Sequence, residues 1–155
     1  MLNDTDNRAE IMASIDRYKN GYSNKDLNML LGITDARYFG FGSGPDEKVN
    51  SLDELKSQLN RDFAQSENLA IDFGPMAVAW DGNIAWCAGD CTISATVGGE
   101  LLRLDGRMTA VLRRIGKEWL FAHTHFSVPD REQKARQSFP ENGLQVKSIY
   151  RDSKQ

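Results

Sequence analysis

His123 and His125 are the only histidines of this chain, and they stand two apart in FAHTHFSVP (121–129), an otherwise apolar run with the alternation of a strand. A spacing of two places both imidazoles on one face of that strand. Such a pair can work as a general base and its helper, with a nearby carboxylate orienting the ring, or can fill the core as satisfied side chains. Two histidines and one aspartate also have the make-up of a two-His, one-carboxylate metal site. An arginine beside the carboxylate competes with a cation, so no metal and no cofactor is expected.

The hairpins say which carboxylate and which arginine those are. Gly98-Gly99 suits a two-residue loop with positive φ, which sets Val97 opposite Glu100 and then Ser94 opposite Arg103, Thr92 opposite Asp105, Asp90 opposite Arg107 and Ala88 opposite Thr109. A loop closing between Arg113 and Trp119 sets Thr109 opposite His123 and Arg107 opposite His125. The result is a row of Asp90, Arg107 and His125 beside a second row of Ala88, Thr109 and His123. Trp86, Val111 and Phe121 make the same face apolar at one end. Phe73 and Phe39 are expected nearby, and the whole reads as polar groups converging in an apolar pocket. Asp90 and Arg107 can anchor a polar ligand or can be a buried ion pair held by Thr92 and His125. The opposite face, with Met108, Ala110, Leu120, Ala122 and Phe126, is nearly all apolar and is expected to be a dimer contact.

Elements that carry these residues follow from periodicity. Ile11, Ile15, Tyr18 and Tyr22 form one helical stripe after Thr5 or Asp6 as candidate caps. Asp26 caps a shorter helix in NKDLNMLLGI, and ARYFGFGSGP reads as a strand with Phe39 and Phe41 on one face. Ser51 and Glu54 make a capping box ahead of Leu52, Leu55, Leu59 and Phe63. After Asn68 come long strands: LAIDFGPMAVAW, NIAWCAGDCTISATV, ELLRLDGRMTAVLRR and EWLFAHTHFSV, joined at Asp81-Gly82, Gly98-Gly99 and a turn at Gly116. Consecutive hairpins make an antiparallel meander, and three helices before it give an α+β domain with helices on one sheet face.

The chain has 155 residues and a formal net charge of −3, with both signs mixed along it. That length allows one domain with its own core, and the charge offers no basic stripe for nucleic acid and no polybasic membrane patch. The start, MLNDTDNRAE, is too polar for a signal peptide, so a cytoplasmic location is expected. Cys87 and Cys91 would lie about 13 Å apart along one strand and cannot bond each other, so both are expected to be reduced core residues. The domain is taken as residues 1–129. Residues 130–155 form a polar tail, with a candidate helix at REQKARQSF and a candidate strand at LQVKSI, able to pack on a partner chain.

The first helix, IDRYKNGYSNKDLNMLL, and the last hairpin, LRRIGKEWLFAHTHFSVP, resemble the NTF2-like (ketosteroid-isomerase-like, cystatin-like) superfamily over roughly residues 8–129. The hairpin pattern RR-x-G-K-x-W-x-x-x-H-x-H-x-S at 113–127 is similar to the subset of SnoaL-like domains and association domains of calcium/calmodulin-dependent kinase II. The resemblance implies a cone-shaped fold, three N-terminal helices packed on a strongly curved antiparallel sheet. It implies a cavity between helices and sheet, and a homodimer through the outer sheet face. It assigns the face of His123, His125, Asp90 and Arg107 to the cavity. It also implies Tyr18 as a hydrogen-bond donor to an oxyanion, whereas the matching base position falls near Gly42, where no carboxylate stands. Asp90 falls where the kinase-association type carries a cavity arginine. The expected function is small-molecule binding in a polar-floored hydrophobic cavity, with cofactor-free isomerase, dehydratase (lyase) or cyclase chemistry, or else a non-catalytic association domain. The expected site is His125, His123, Asp90 and Tyr18 for proton transfer, with Arg107, Thr109, Trp86, Phe73, Phe121 and Phe39 around the ligand.

Overall fold

The computed structural model describes residues 4–140. Helix α1 (Asp4–Ser23) buries Ile11 and Ile15 with Tyr22 on the predicted stripe. Helix α2 (Leu27–Gly32) starts at Asp26, whose side chain accepts from the Met29 N–H at 3.0 Å. Helix α3 (Leu52–Gln65) has Ser51 as N-cap, its hydroxyl accepting from Glu54 N–H at 3.1 Å. Glu54 returns the contact one residue earlier than a regular capping box, to the Asn50 N–H at 2.7 Å.

The strands are β1 (Thr34–Phe41), β2 (Lys48–Val49), β3 (Glu67–Phe73), β4 (Ala77–Asp81), β5 (Ile84–Val97), β6 (Glu100–Ile115) and β7 (Glu118–Ser127). They form one sheet in the order β2-β1-β7-β6-β5-β3, with β4 also on β5. The architecture is the expected α+β arrangement, but the sheet is mixed, since β1 runs parallel to β7 while the other pairs are antiparallel. LAIDFGPMAVAW is two strands rather than one. It breaks at Gly74-Pro75, where proline cannot donate to a ladder, and both halves pair along the same edge of β5. No helix forms in residues 131–139, which run through turns and bends. LQVKSI lies outside the described residues.

The β5–β6 register is the predicted one throughout, from Val97 opposite Glu100 to Ala88 opposite Thr109, around Gly98 and Gly99 with φ of 59° and 83°. The β6–β7 register is not. Ile115 faces Glu118 across a tighter loop, and an irregularity between Val111 and Leu112 inserts a residue into β7. Beyond that bulge Thr109 faces His125, Val111 faces His123 and Arg107 faces Ser127. The bulge changes parity along β7: Trp119 and Phe121 point inward, and so do Thr124 and Phe126 after it.

The face assignment is reversed. Met108, Ala110, Leu112, Thr124 and Phe126 are buried in the core, on the side where α1 packs against the sheet. Met108, Ala110 and Phe126 of the face expected at a dimer contact are therefore covered by the chain's own helices, while Leu120 and Ala122, ahead of and at the bulge, are half-buried. The β5 complement of this face is Ala85, Cys87, Cys91 and Ala95, all buried, and both cysteines are free thiols. Among the described residues no helix is long and apolar enough to cross a membrane.

Candidate functional site

The polar row predicted for the cavity lies on the outside. Asp90, Arg107, Thr109 and His125 are exposed, and His123 is half-buried among surface aromatics. The physical reason is that Cys87, Cys91, Met108 and Ala110 form the better core set, and alternation sends their neighbours the other way. Asp90 and Arg107 are cross-strand neighbours, yet no ion pair joins them; with Thr92, Asp105 and Pro129 they border a shallow surface groove. His123 donates its Nδ1–H to the Phe39 carbonyl at 2.8 Å, and Phe39 and Phe41 lie against the two imidazoles at ring separations of 4.9 and 5.2 Å. Phe39 is 54% exposed and Trp86 48%. Seven of the expected site residues, His123, His125, Asp90, Arg107, Thr109, Trp86 and Phe39, thus stand away from the interior.

Tyr18, Phe73 and Phe121 do meet inside. The Tyr18 ring lies 5.2 Å from Phe121 and 6.2 Å from Phe73, on the stripe of α1 that faces the sheet. Tyr18 also borders an interior cavity of about 200 Å³, which opens between α1, α3, β1 and the inner faces of β6 and β7. Its polar lining is Tyr18, Tyr22, Tyr38, Thr124, Glu47, Ser43, Gln58 and Asp62. Ile71, Ile93, Leu104, Met108 and Phe126 make the apolar floor.

These polar groups form two connected sets. On the β1–β7 side, the Tyr38 and Thr124 hydroxyls share a buried hydrogen bond of 2.5 Å. On the α3 side, Asp62 accepts from the Tyr22 hydroxyl at 3.1 Å and from Gln58 Nε2 at 2.8 Å. Gln58 Nε2 reaches Glu47 Oε1 at 3.4 Å, so one amide bridges the two carboxylates. Glu47 arrives through the turn 42–47: its Oε2 accepts the Gly44 N–H at 2.7 Å, and its carboxylate occupies the space that a Cβ on Gly42 would fill. The place near Gly42 that lacks a carboxylate in sequence is thus supplied with one from five residues on. Arg61 holds this turn from outside, donating to Asp46 at 2.6 Å and lying 3.6 Å from Glu47.

Burial pushes the Asp62 carboxyl above its ordinary value, the Gln58 and Tyr22 hydrogen bonds oppose the shift, and the Glu47 charge adds to it. Burial raises the Tyr18 phenol far up, aided by Tyr38, Cys91 and Asp62, so it stays protonated as a donor. Tyr22 is raised by burial first and by Asp62 second, and Tyr38 by burial despite its bond to Thr124. The Tyr18 hydroxyl has no hydrogen-bond partner among the described residues, while those of Tyr22 and Tyr38 are engaged. What results is a carboxyl raised by burial and a phenolic donor without a partner beside one small cavity.

The sequence profile of the SnoaL-like domain matches residues 11–131. The chain belongs to the SnoaL-like domain family. Solved structures agree on the fold. An NTF2-like protein from Salmonella enterica serovar Typhimurium matches with a TM-score of 0.77 at 17% identity, covering 86% of this chain and 99% of that one. A candidate scytalone dehydratase from Novosphingobium aromaticivorans matches with a TM-score of 0.75 at 10% identity, over 89% and 95% of the two chains. A candidate kinase II association domain from Xanthomonas campestris gives 0.71 at 16%, over 79% and 87%. No curated protein matches the sequence. At these identities the likeness concerns the SnoaL-like fold alone.

Asp62, Glu47, Tyr22 and Gln58 escaped the sequence reading. One signal for Asp62 was available: it continues the apolar stripe of α3, seven residues after Leu55, and a carboxylate on the inward face of a helix calls for a partner. Glu47 had none, because a turn delivers it.

Proposed function

We propose that this SnoaL-like domain binds a small organic molecule in the cavity between α1, α3 and the sheet, and performs acid–base chemistry there of the isomerase or dehydratase type. Asp62 exchanges the proton, and Tyr18 donates a hydrogen bond to the oxygen on which charge develops. One observation carries the reading: a cavity-lining carboxyl raised by burial stands with a protonated, unpartnered phenol. The cavity of about 200 Å³ is below the ~300–1,000 Å³ of pockets for drug-sized ligands, which limits the ligand to about one ring. A ligand-observed NMR screen of one-ring fragments tests it. Hits are expected to lose binding in Tyr18→Phe and Asp62→Asn and to keep it in His125→Ala. Hits that ignore both cavity changes and shift the Trp86 indole instead would move the site to the outer face and end this reading.

The outer face favours a second role, association with another copy. Phe39, Phe41, Trp86 and Ile84 are 54, 44, 48 and 41% exposed there, a concentration of large apolar groups that a monomer rarely leaves in water. We therefore propose that the homodimer forms through this face and encloses His123 and His125. Sedimentation should show a dimer at micromolar concentration that Trp86→Asp dissociates. A monomeric parent protein would exclude it.

A further inference from the structure

We propose that the ligand of the cavity is a small organic cation, an amine or a quaternary ammonium compound. This rests on the pocket described above and names the chemistry it selects.

Every charged side chain on the cavity wall is acidic, namely Glu47 and Asp62. Arg61, on the outer side of α3, is committed: its Nη1 donates to Asp46 at 2.6 Å and its Nη2 to the Gln58 side-chain amide oxygen at 2.9 Å, 3.6 Å from Glu47, which leaves Asp62 as the cavity acid without an ion-pair partner. Asp62 takes only neutral donors, one on each oxygen, from Tyr22 and Gln58. A carboxylate offers about four acceptor sites, so roughly two remain open. Both histidines, and Arg107 with them, face away on the outer surface. Four aromatic side chains share the remaining walls with aliphatic ones: Tyr18, Tyr22 and Tyr38 from the helix and strand sides and Phe126 beside Ile71, Ile93, Leu104 and Met108, with the Tyr18 and Tyr22 rings nearly parallel at 6.2 Å. Ring faces and carboxylates in a water-poor space are the elements that recognise an ammonium group. An anion would be set beside two acidic side chains, and a neutral ring would make no charge-assisted contact with Asp62. Burial keeps the empty-pocket Asp62 carboxyl raised. A bound ammonium would favour the charged carboxylate and so oppose that rise.

A charge series on one scaffold tests this: benzylamine, benzyl alcohol and benzoate, titrated calorimetrically into the full chain near neutral pH. Benzylamine is expected to bind on the order of tenfold more tightly than benzyl alcohol, and benzoate not to bind, since one desolvated cation contact of this kind amounts to roughly that factor. Asp62→Asn should remove the advantage of the cation, bringing benzylamine and benzyl alcohol within about threefold of each other on the variant. Should Asp62→Asn not fold, the charge series on the unmodified protein decides alone. Benzyl alcohol binding as well as or better than benzylamine overturns the cation inference and leaves the pocket standing. Failure of all three at millimolar concentration overturns both.

Discussion

Arg113→Met isolates the ion pair that ties β1 to β6 across β7. Asp35 is 1% exposed and its Oδ2 receives Arg113 Nε at 2.6 Å, the arginine being 32% exposed. Removing one partner of a buried pair costs about 3–5 kcal/mol, because the remaining charge stays desolvated. Asp35 keeps a hydrogen bond from the Arg37 N–H at 2.8 Å, and the solvent-exposed Arg37 head lies 4.0 Å away, which places the loss near the lower end, about 3 kcal/mol. For a chain of this size each kcal/mol corresponds to about 2–4 °C, so the melting temperature should fall by about 6–12 °C. The pH dependence carries a sign of its own. In the parent protein burial pushes the Asp35 carboxyl up, but the Arg113 hydrogen bond, the Arg37 N–H and both charges together hold it below 3.8. A depressed folded-state value gives stability that is present above the unfolded value and lost as the pH falls through the folded one. Without Arg113 its hydrogen bond and its charge no longer oppose burial, so the folded value rises and the stability that ionised Asp35 gives at neutral pH shrinks. The gap between variant and parent should therefore narrow from pH 7 toward pH 4. Chemical denaturation at both pH values, with Asp35→Leu/Arg113→Met as the control expected to regain most of the loss, measures it. A variant within about 0.5 kcal/mol of the parent at pH 7 would refute a buried, paired Asp35.

Ser51→Ala should cost about 1 kcal/mol in urea denaturation by removing the cap of α3. Gly106→Ala should cost about 1–3 kcal/mol, because a Cβ there meets the Ser127 carbonyl and the Phe126 ring where β6 and β7 approach closely. Burial pushes the Cys87 thiol up to about 11 and Cys91 up to about 12. Iodoacetamide at neutral pH should consequently label neither thiol in the native protein and both after unfolding, as followed by mass spectrometry. Rapid native labelling of either cysteine would contradict the inward face of β5.

Local chemistry made much of this fold legible without coordinates. A cap is a contact over three residues, so Asp26 and Ser51 mark their helices directly, and a two-glycine loop determines its own hairpin, so the β5–β6 pairing could be written out from Gly98 and Gly99. The stripe of Ile11, Ile15, Tyr18 and Tyr22 likewise announces which side of α1 is buried. Alternation, by contrast, divides a strand into two sets without saying which is inside; that depends on where the helices land, and here they cover Met108, Ala110 and Phe126 and leave His125 in water. The bulge in β7 then inserts one residue, Ala122, between Phe121 and His123, a change that no hairpin rule reports because the loop fixes pairing only up to the first irregularity. The cavity carboxylates were the least visible for the same reason. Asp62 and Glu47 stand fifteen positions apart and meet only because the turn 42–47 folds against α3 and Gln58 spans the gap, so their chemistry belongs to the tertiary structure and not to any motif along the chain.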